Sequence, residues 1–159
     1  MAIYMNYDGI KGAVTEDGHK DWIEVNSFQW GVGRGIGTPT GASADREASA
    51  PSVSEIVVTK PTDVASLKLF SEALAGEGKT VKIDFVTTVK GKVDKYLSYE
   101  LSNTLVSGYS VSSGGDRPSE SVSLNFTKIT VTFAANKEAG AGLDAGGTAG
   151  YDIGLAKTI

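Results

Sequence analysis

Apolar and polar positions alternate with period two along most of the chain, the spacing of half-buried strands. Ile3, Met5 and Tyr7 alternate with Tyr4 and Asn6. Ile23 and Val25 oppose Trp22 and Glu24, and Phe28, Trp30 and Val32 continue on the other parity. That flip predicts a bulge or bend near Asn26. Val53, Val57 and Thr59 face Ile56 and Val58, a strand apolar on both sides and so expected to be buried on both. Val81, Ile83 and Phe85 alternate with Lys82 and Asp84, and Lys90–Gly91–Lys92 reads as a hairpin turn. Leu97, Tyr99 and Leu101 open a strand that runs on through Leu105, Tyr109 and Val111, too long to stay straight. After the turn Ser113–Gly114–Gly115–Asp116, the apolar set Val122, Leu124 and Phe126 shifts phase at Lys128 to Ile129, Val131 and Phe133.

Two segments break this rhythm. Pro61–Thr62–Asp63 opens a helical pattern, because Thr62 or Asp63 can accept from free backbone N–H groups and Asp63 complements the helix dipole. The spacing predicts a helix over Asp63–Ala75, with Leu67, Phe70 and Leu74 as core anchors, Leu69 and Ala73 widening the apolar face, and Gly76 and Gly78 as stops. The stretch Gly33–Ser52 has no period and is built of small residues and turn formers. A loop that long in a compact domain is functional or disordered. From Ala134 the chain turns rich in glycine and alanine. Many strands, one helix and one core point to a mainly β fold, a β-barrel of two sheets with one flanking α-helix. The 159 residues suit a single domain, 1–159, with an extended loop near 33–52 and a Gly/Ala-rich region 136–150.

Composition narrows the chemistry. With no cysteine and one histidine, disulfides, thiol catalysis and paired-His metal sites are ruled out. A net charge of −4 argues against gripping a phosphate backbone. No apolar run reaches the roughly 20 residues of a membrane span, and the N-terminus has no signal-peptide pattern. Gly31–Val32–Gly33–Arg34–Gly35–Ile36–Gly37 lacks the following helix that a nucleotide loop needs. Asp8, Asp17 and Asp21 lack calcium-loop spacing and read as solvated turns, with His19 exposed among them. Asp84 and Glu100, on polar phases of neighbouring strands, are expected to pair with Lys82 or Lys95. No Gly-x-Ser-x-Gly elbow is present, so a serine hydrolase has no starting point. No catalytic residue, cofactor or metal ligand is expected.

Three stretches together resemble the haemolysin-coregulated protein (Hcp) family, the inner-tube subunit of bacterial type VI secretion systems. They are Thr59–Lys60–Pro61–Thr62–Asp63 with Ala65–Phe70, Tyr96–Leu101 running into Leu105–Val111, and Ser113–Glu120 followed by Val122–Ile129. The resemblance implies a homohexameric ring that stacks into a hollow tube and is expelled by a contractile sheath. Its lumen is able to carry effectors. It implies as partners other copies of the chain, the spike protein VgrG, the sheath and cargo effectors; the charge and the apolar pattern predict no nucleic acid and no membrane insertion. The missing signal-peptide pattern predicts synthesis in the bacterial cytoplasm without a signal peptide, and the resemblance implies secretion to the extracellular space or a target cell.

Within that expectation the long loop becomes the ring-stacking element, with Arg34, Thr38, Asp45, Arg46 and Glu47 as contact residues. The polar phase of the later strands and the adjacent turn become the lumen lining, with Ser112, Ser113, Asp116, Ser123 and Asn125. The alternative is a monomeric ligand-binding β-barrel, which requires a cavity with convergent polar groups. A hydrolase ranks last.

Overall fold

The computed structural model describes residues 1–38, 47–136 and 143–159. Among these, the strands in chain order are β1 (Ala2–Tyr7), β2 (Ile23–Val25), β3 (Ser27–Gln29), β4 (Val32–Gly33), β5 (Ile36–Gly37), β6 (Glu47–Ala48), β7 (Ser52–Val53) and β8 (Ile56–Pro61). After the helix α1 (Ser66–Ala75) come β9 (Lys79–Val89), β10 (Lys92–Ser112), β11 (Ser119–Asn125), β12 (Lys128–Asn136), β13 (Leu143–Asp152) and β14 (Lys157–Thr158).

All main pairings are antiparallel. One sheet runs β2-β1-β9-β10-β12-β13-β14 and the other β10-β11-β8-β3, so β10 belongs to both. Between them lies a single core that includes Met5, Tyr7, Ile23, Ile56, Val58, Ile83, Leu101 and Leu124, each fully buried. The result is the mainly β, two-sheet architecture with one helix that the alternation predicts.

The parity flips are the corners where the chain crosses from one sheet to the other. At Asn26, β2 of the first sheet gives way to β3 of the second, and the Asn26 N–H donates to the Thr59 carbonyl at 2.7 Å. At Phe126–Thr127, β11 of the second sheet gives way to β12 of the first, with Phe126 buried in the corner. Inside β10 the turn falls at Asn103, whose φ of 53° lies in the left-handed region that asparagine tolerates better than most side chains. Its side chain rests against Gly78, where an added Cβ would meet the Asn103 Oδ1 at 1.8 Å. The hairpin turn is where the sequence puts it: Lys90 and Gly91 both have positive φ (50° and 76°), as a two-residue hairpin loop requires.

Four expectations need correction. The first concerns the helix. Leu67, Phe70 and Leu74 are 79%, 46% and 70% exposed, and Leu69 and Ala65 are the residues fully buried beneath α1, with Ala73 packed against the same core. The helix has two apolar stripes. The one with two alanines faces inward because small side chains let the helix lie close to the sheet. The bulky stripe faces out, with only Phe70 sheltered, its ring 5.9 Å from Tyr109.

Second, the described part of the long loop is not structureless. β4 pairs with β7 and β5 with β6, forming a narrow two-stranded arm, so Ser52–Val53 belong to the arm and β8 starts at Ile56. Mixed backbone and side-chain hydrogen bonds link Gly35 with Ser49 and Gly31 with Ser54. These ladders are too short, and too poor in apolar alternation, to show a period.

Third, His19 is buried. Its Nδ1 meets a Glu16 carboxylate oxygen, its Nε2 lies 2.9 Å from Asp84 Oδ2, and its ring packs against Tyr4 and Trp22. Fourth, Asp84 pairs with neither Lys82 nor Lys95. It is buried, and takes His19 on one oxygen and the Ser98 hydroxyl on the other at 2.7 Å. A loop that folds back over β1 and β9 covers this polar phase, which strand alternation alone would leave in water.

Candidate assembly surfaces

The three stretches that carry the family resemblance meet in space. Lys60, at the end of β8, is fully buried and its Nζ is satisfied on all sides. It lies 2.8 Å from Glu120 Oε1 and 3.0 Å from Asp63 Oδ1, and it also reaches the Pro61 carbonyl and the Ser66 hydroxyl. Glu120 accepts from Thr62 Oγ1 on its other oxygen at 2.9 Å and is hydrogen-bonded to the Tyr109 hydroxyl. The Arg117 Nε donates to the Thr62 carbonyl at 2.8 Å. A buried ion pair is tolerable only when every remaining lone pair and proton finds a partner, and here they do. Burial alone would raise the Glu120 carboxyl, but hydrogen bonds from Lys60, Ser66, Tyr109 and Thr62 outweigh it and hold the group below the ordinary glutamate value. The Tyr109 hydroxyl is pushed up to about 12, first by burial and then by its contact with Glu120.

This cluster positions α1. Asp63 Oδ1 accepts from the Ala65 N–H, and Ser66 Oγ accepts from the Asp63 N–H, both at 2.9 Å, a reciprocal arrangement at the helix start of the capping-box kind. The helix proper begins at Ser66, three residues after the Asp63 that sequence reasoning singles out. With Leu69 as its only large inward side chain, α1 is held by the buried charges as well as by apolar contact. Its outward ridge, Val64, Leu67, Phe70 and Leu74, is thereby fixed in place and exposed.

A second surface is the outer face of the four-stranded sheet. The core phase of β11 is Glu120, Val122 and Leu124, so Ser119, Ser121, Ser123 and Asn125 point the other way. Strand register extends this into rows. Ser27, Thr59, Ser121 and Ser110 stand side by side across β3, β8, β11 and β10, and Gln29, Val57, Ser123 and Gly108 form the next row. Ser112 and Ser119 form a third, beside Pro61. At the far edge Glu55 accepts from the Ser107 hydroxyl at 2.8 Å and the Asn125 amide at 3.2 Å. The face is mostly small and hydroxylated, with Gln29, Val57, Gly108 and Pro61 among its serines and threonines. Of the lumen residues expected from sequence, Ser112, Ser123 and Asn125 share this face. Ser113 and Asp116 lie exposed in the turn at its end, where Ser113 Oγ donates to the Asp116 carbonyl at 3.0 Å. Ser27, Thr59 and Ser110 were not anticipated. Their serine and threonine character is visible in the sequence, but only the register aligns them.

The arm is the third surface. Arg34 and Thr38 are exposed on it, as are Val32 and Ile36. Glu47 pairs through its backbone with Gly37, its side chain lying outside the described residues together with Asp45 and Arg46. At the arm's base Trp30, Val32, Pro51 and Val53 line an apolar cleft of about 290 Å³ with Ile129, Val131, Ala149 and Tyr151. Among the described residues the cleft has no charged lining side chain, and no group of three or more metal-ligating residues occurs.

Comparison with known proteins agrees with this architecture. The family described as "Type VI secretion system effector, Hcp" matches residues 4–133. A solved structure described as a type six secretion system protein is 30% identical, with a TM-score of 0.88 over 99% of both chains. Hcp1 from Salmonella typhimurium is 26% identical, with a TM-score of 0.74 over 100% of both chains. A type VI secretion system effector from Yersinia pestis is 24% identical, with a TM-score of 0.73 over 95% of this chain and 99% of that one. No curated protein matches the chain. A β-rich fold with one helix, in which the three characteristic stretches close on one buried ion pair, and a family match over most of the length place this chain in the Hcp family of type VI secretion proteins.

Proposed function

We propose that the chain is the structural subunit of a type VI secretion tube. Six copies form a ring, rings stack head-to-tail into a hollow tube, and a contractile sheath expels the tube behind its VgrG spike, with effectors carried in the lumen. The protein leaves the cell by this route. It performs no catalysis of its own. The observation that carries this reading, beyond family membership, is the hydroxylated outer face of the β10-β11-β8-β3 sheet. A surface lined with small hydrated side chains lets varied cargo pass or lodge without adhering, and it suits a lumen wall. The exposed residues of the arm suit the ring-stacking role of Arg34, Thr38 and their neighbours.

Negative-stain imaging of the purified protein tests the assembly: rings of uniform diameter are expected, and a monomer at all concentrations would sink the proposal. Deleting residues 38–50 should leave hexamers while weakening tube growth, and normal stacking by that variant would remove the arm from the contact. Ser123→Arg should leave ring mass unchanged and reduce co-purification of a cognate effector. Equal effector recovery would move the cargo surface elsewhere. The monomeric ligand-binding barrel finds less support, since the cleft beside Trp30 lacks the converging polar groups that orient a ligand.

A further inference from the structure

Two apolar surfaces of the chain are left uncovered at opposite ends of one strand. β8 starts at Ile56, just past the base of the arm, and ends at Pro61, where the buried Lys60 cluster launches α1. Six extended residues separate the two ends by about 20 Å. At the first end Val32 and Ile36 stand 54% and 47% exposed. At the other, Leu67 and Leu74 are exposed by more than two thirds. Neither surface covers the other within the chain. Two different patches of one molecule that answer each other only between copies form a heterologous contact, the kind that propagates head-to-tail.

Charge matches this pairing. Arg34 lies between Val32 and Ile36 on the arm, and Glu77 stands just past the C-terminal end of the helical ridge. Both are exposed and neither takes part in an ion pair among the described residues. The ridge is also preorganised: the Lys60–Glu120–Asp63 cluster fixes the helix before any partner arrives, which lowers the ordering cost of binding. We propose that the arm of one copy lies across the α1 ridge of the next, with Val32 and Ile36 against Leu67, Phe70 and Leu74, and Arg34 beside Glu77. The proposal rests on the tube reading and names the surface on which the arm lands.

The chain has no cysteine, so disulfide trapping has no background. Single variants Val32→Cys and Ile36→Cys are each mixed with Leu67→Cys, Phe70→Cys or Leu74→Cys under mild oxidation, which samples the register without assuming it. Arm–ridge mixtures should give covalent dimers, and the same variants alone should not. Arg34→Glu on the arm copy should lower the yield roughly two- to fivefold, the scale of an exposed ion pair, and Glu77→Arg on the ridge copy should restore it. Wild-type protein is imaged in parallel. Rings or tubes without arm–ridge dimers in any mixture overturn the contact and leave the tube reading intact. Dimers without rings uphold the contact and count against the tube. Neither dimers nor rings overturns both.

Discussion

Lys60 is a lysine with no exposed surface, and the chain keeps it by surrounding it with two carboxylates, a hydroxyl and a carbonyl. Glu120→Gln removes its closest counter-charge, and we expect a loss of about 3 kcal/mol in urea unfolding, because breaking one partner strands the other in the interior. A change below 1 kcal/mol would mean that Asp63 alone suffices. The same carboxyl gives a pH signature. Its folded-state value is held below the ordinary 4.5, so its contribution is complete above that value and is lost as pH falls below it toward the folded value. Tyr109 acts at the other limit. Raised to about 12, it contributes fully below its ordinary 10.0 and loses that contribution as pH climbs through 12. Unfolding free energy measured between pH 3 and 7 should therefore fall at the acid end in the native protein, and less steeply in Glu120→Gln. The helix offers a paired test. Leu69→Ala should cost about 2–5 kcal/mol, as for a buried leucine, and Leu67→Ala under 1 kcal/mol in a subunit held apart from other copies. Equal costs would mean that the bulky stripe is core after all.

At the scale of elements, legibility followed the physics of alternation. Each strand with alternating apolar residues could be read, and the parity flip at Asn26 could be read as a bend because a strand that changes sheets must change its inward face. β13, ten residues of mostly Gly, Ala and Thr, pairs with β12 without apolar alternation and was read only as a Gly/Ala-rich region. What stayed hidden was whatever period two does not encode. The arm's ladders are two residues each, below any periodic signal. Asp84 and His19 looked like surface residues because the cover over them, the segment between β1 and β2, is irregular and contributes no period. The helix showed its apolar residues correctly but not their direction, since two stripes on ten residues satisfy the same spacing. Of the surfaces, the alternate serines of β11 were legible and their neighbours across the sheet were not. The irregular cover has its own weak point. A Cβ at Gly12 would meet the Trp22 carbonyl oxygen at 2.2 Å and the backbone of Ile23 at 2.8 Å, contacts that no rotamer relieves. Gly12→Ala should lower thermal stability markedly by lifting this segment off β2, whereas Gly9→Ala meets no atom within 4 Å and suffers only from its positive φ. Equal melting temperatures for the two variants would show that the cover gives way freely.

The whole molecule turns on β10. Its first half pairs with β9 and β12, its second with β11, and the bend at Asn103 joins them without a break in the strand. Neither sheet can be removed and leave the other with a complete edge, so thermal and urea unfolding should each show one transition, with the two tryptophans and the backbone signal losing structure together. Separate midpoints would contradict this. The arrangement also decides where the chain tolerates being opened. New termini placed at the Lys90–Gly91 turn would fall on an exposed two-residue loop and spare every strand pairing inside both sheets. New termini placed near Asn103 would cut both sheets at once. A circular permutant opened at the first site should fold, and one opened at the second should not, although both keep every side chain of the native protein.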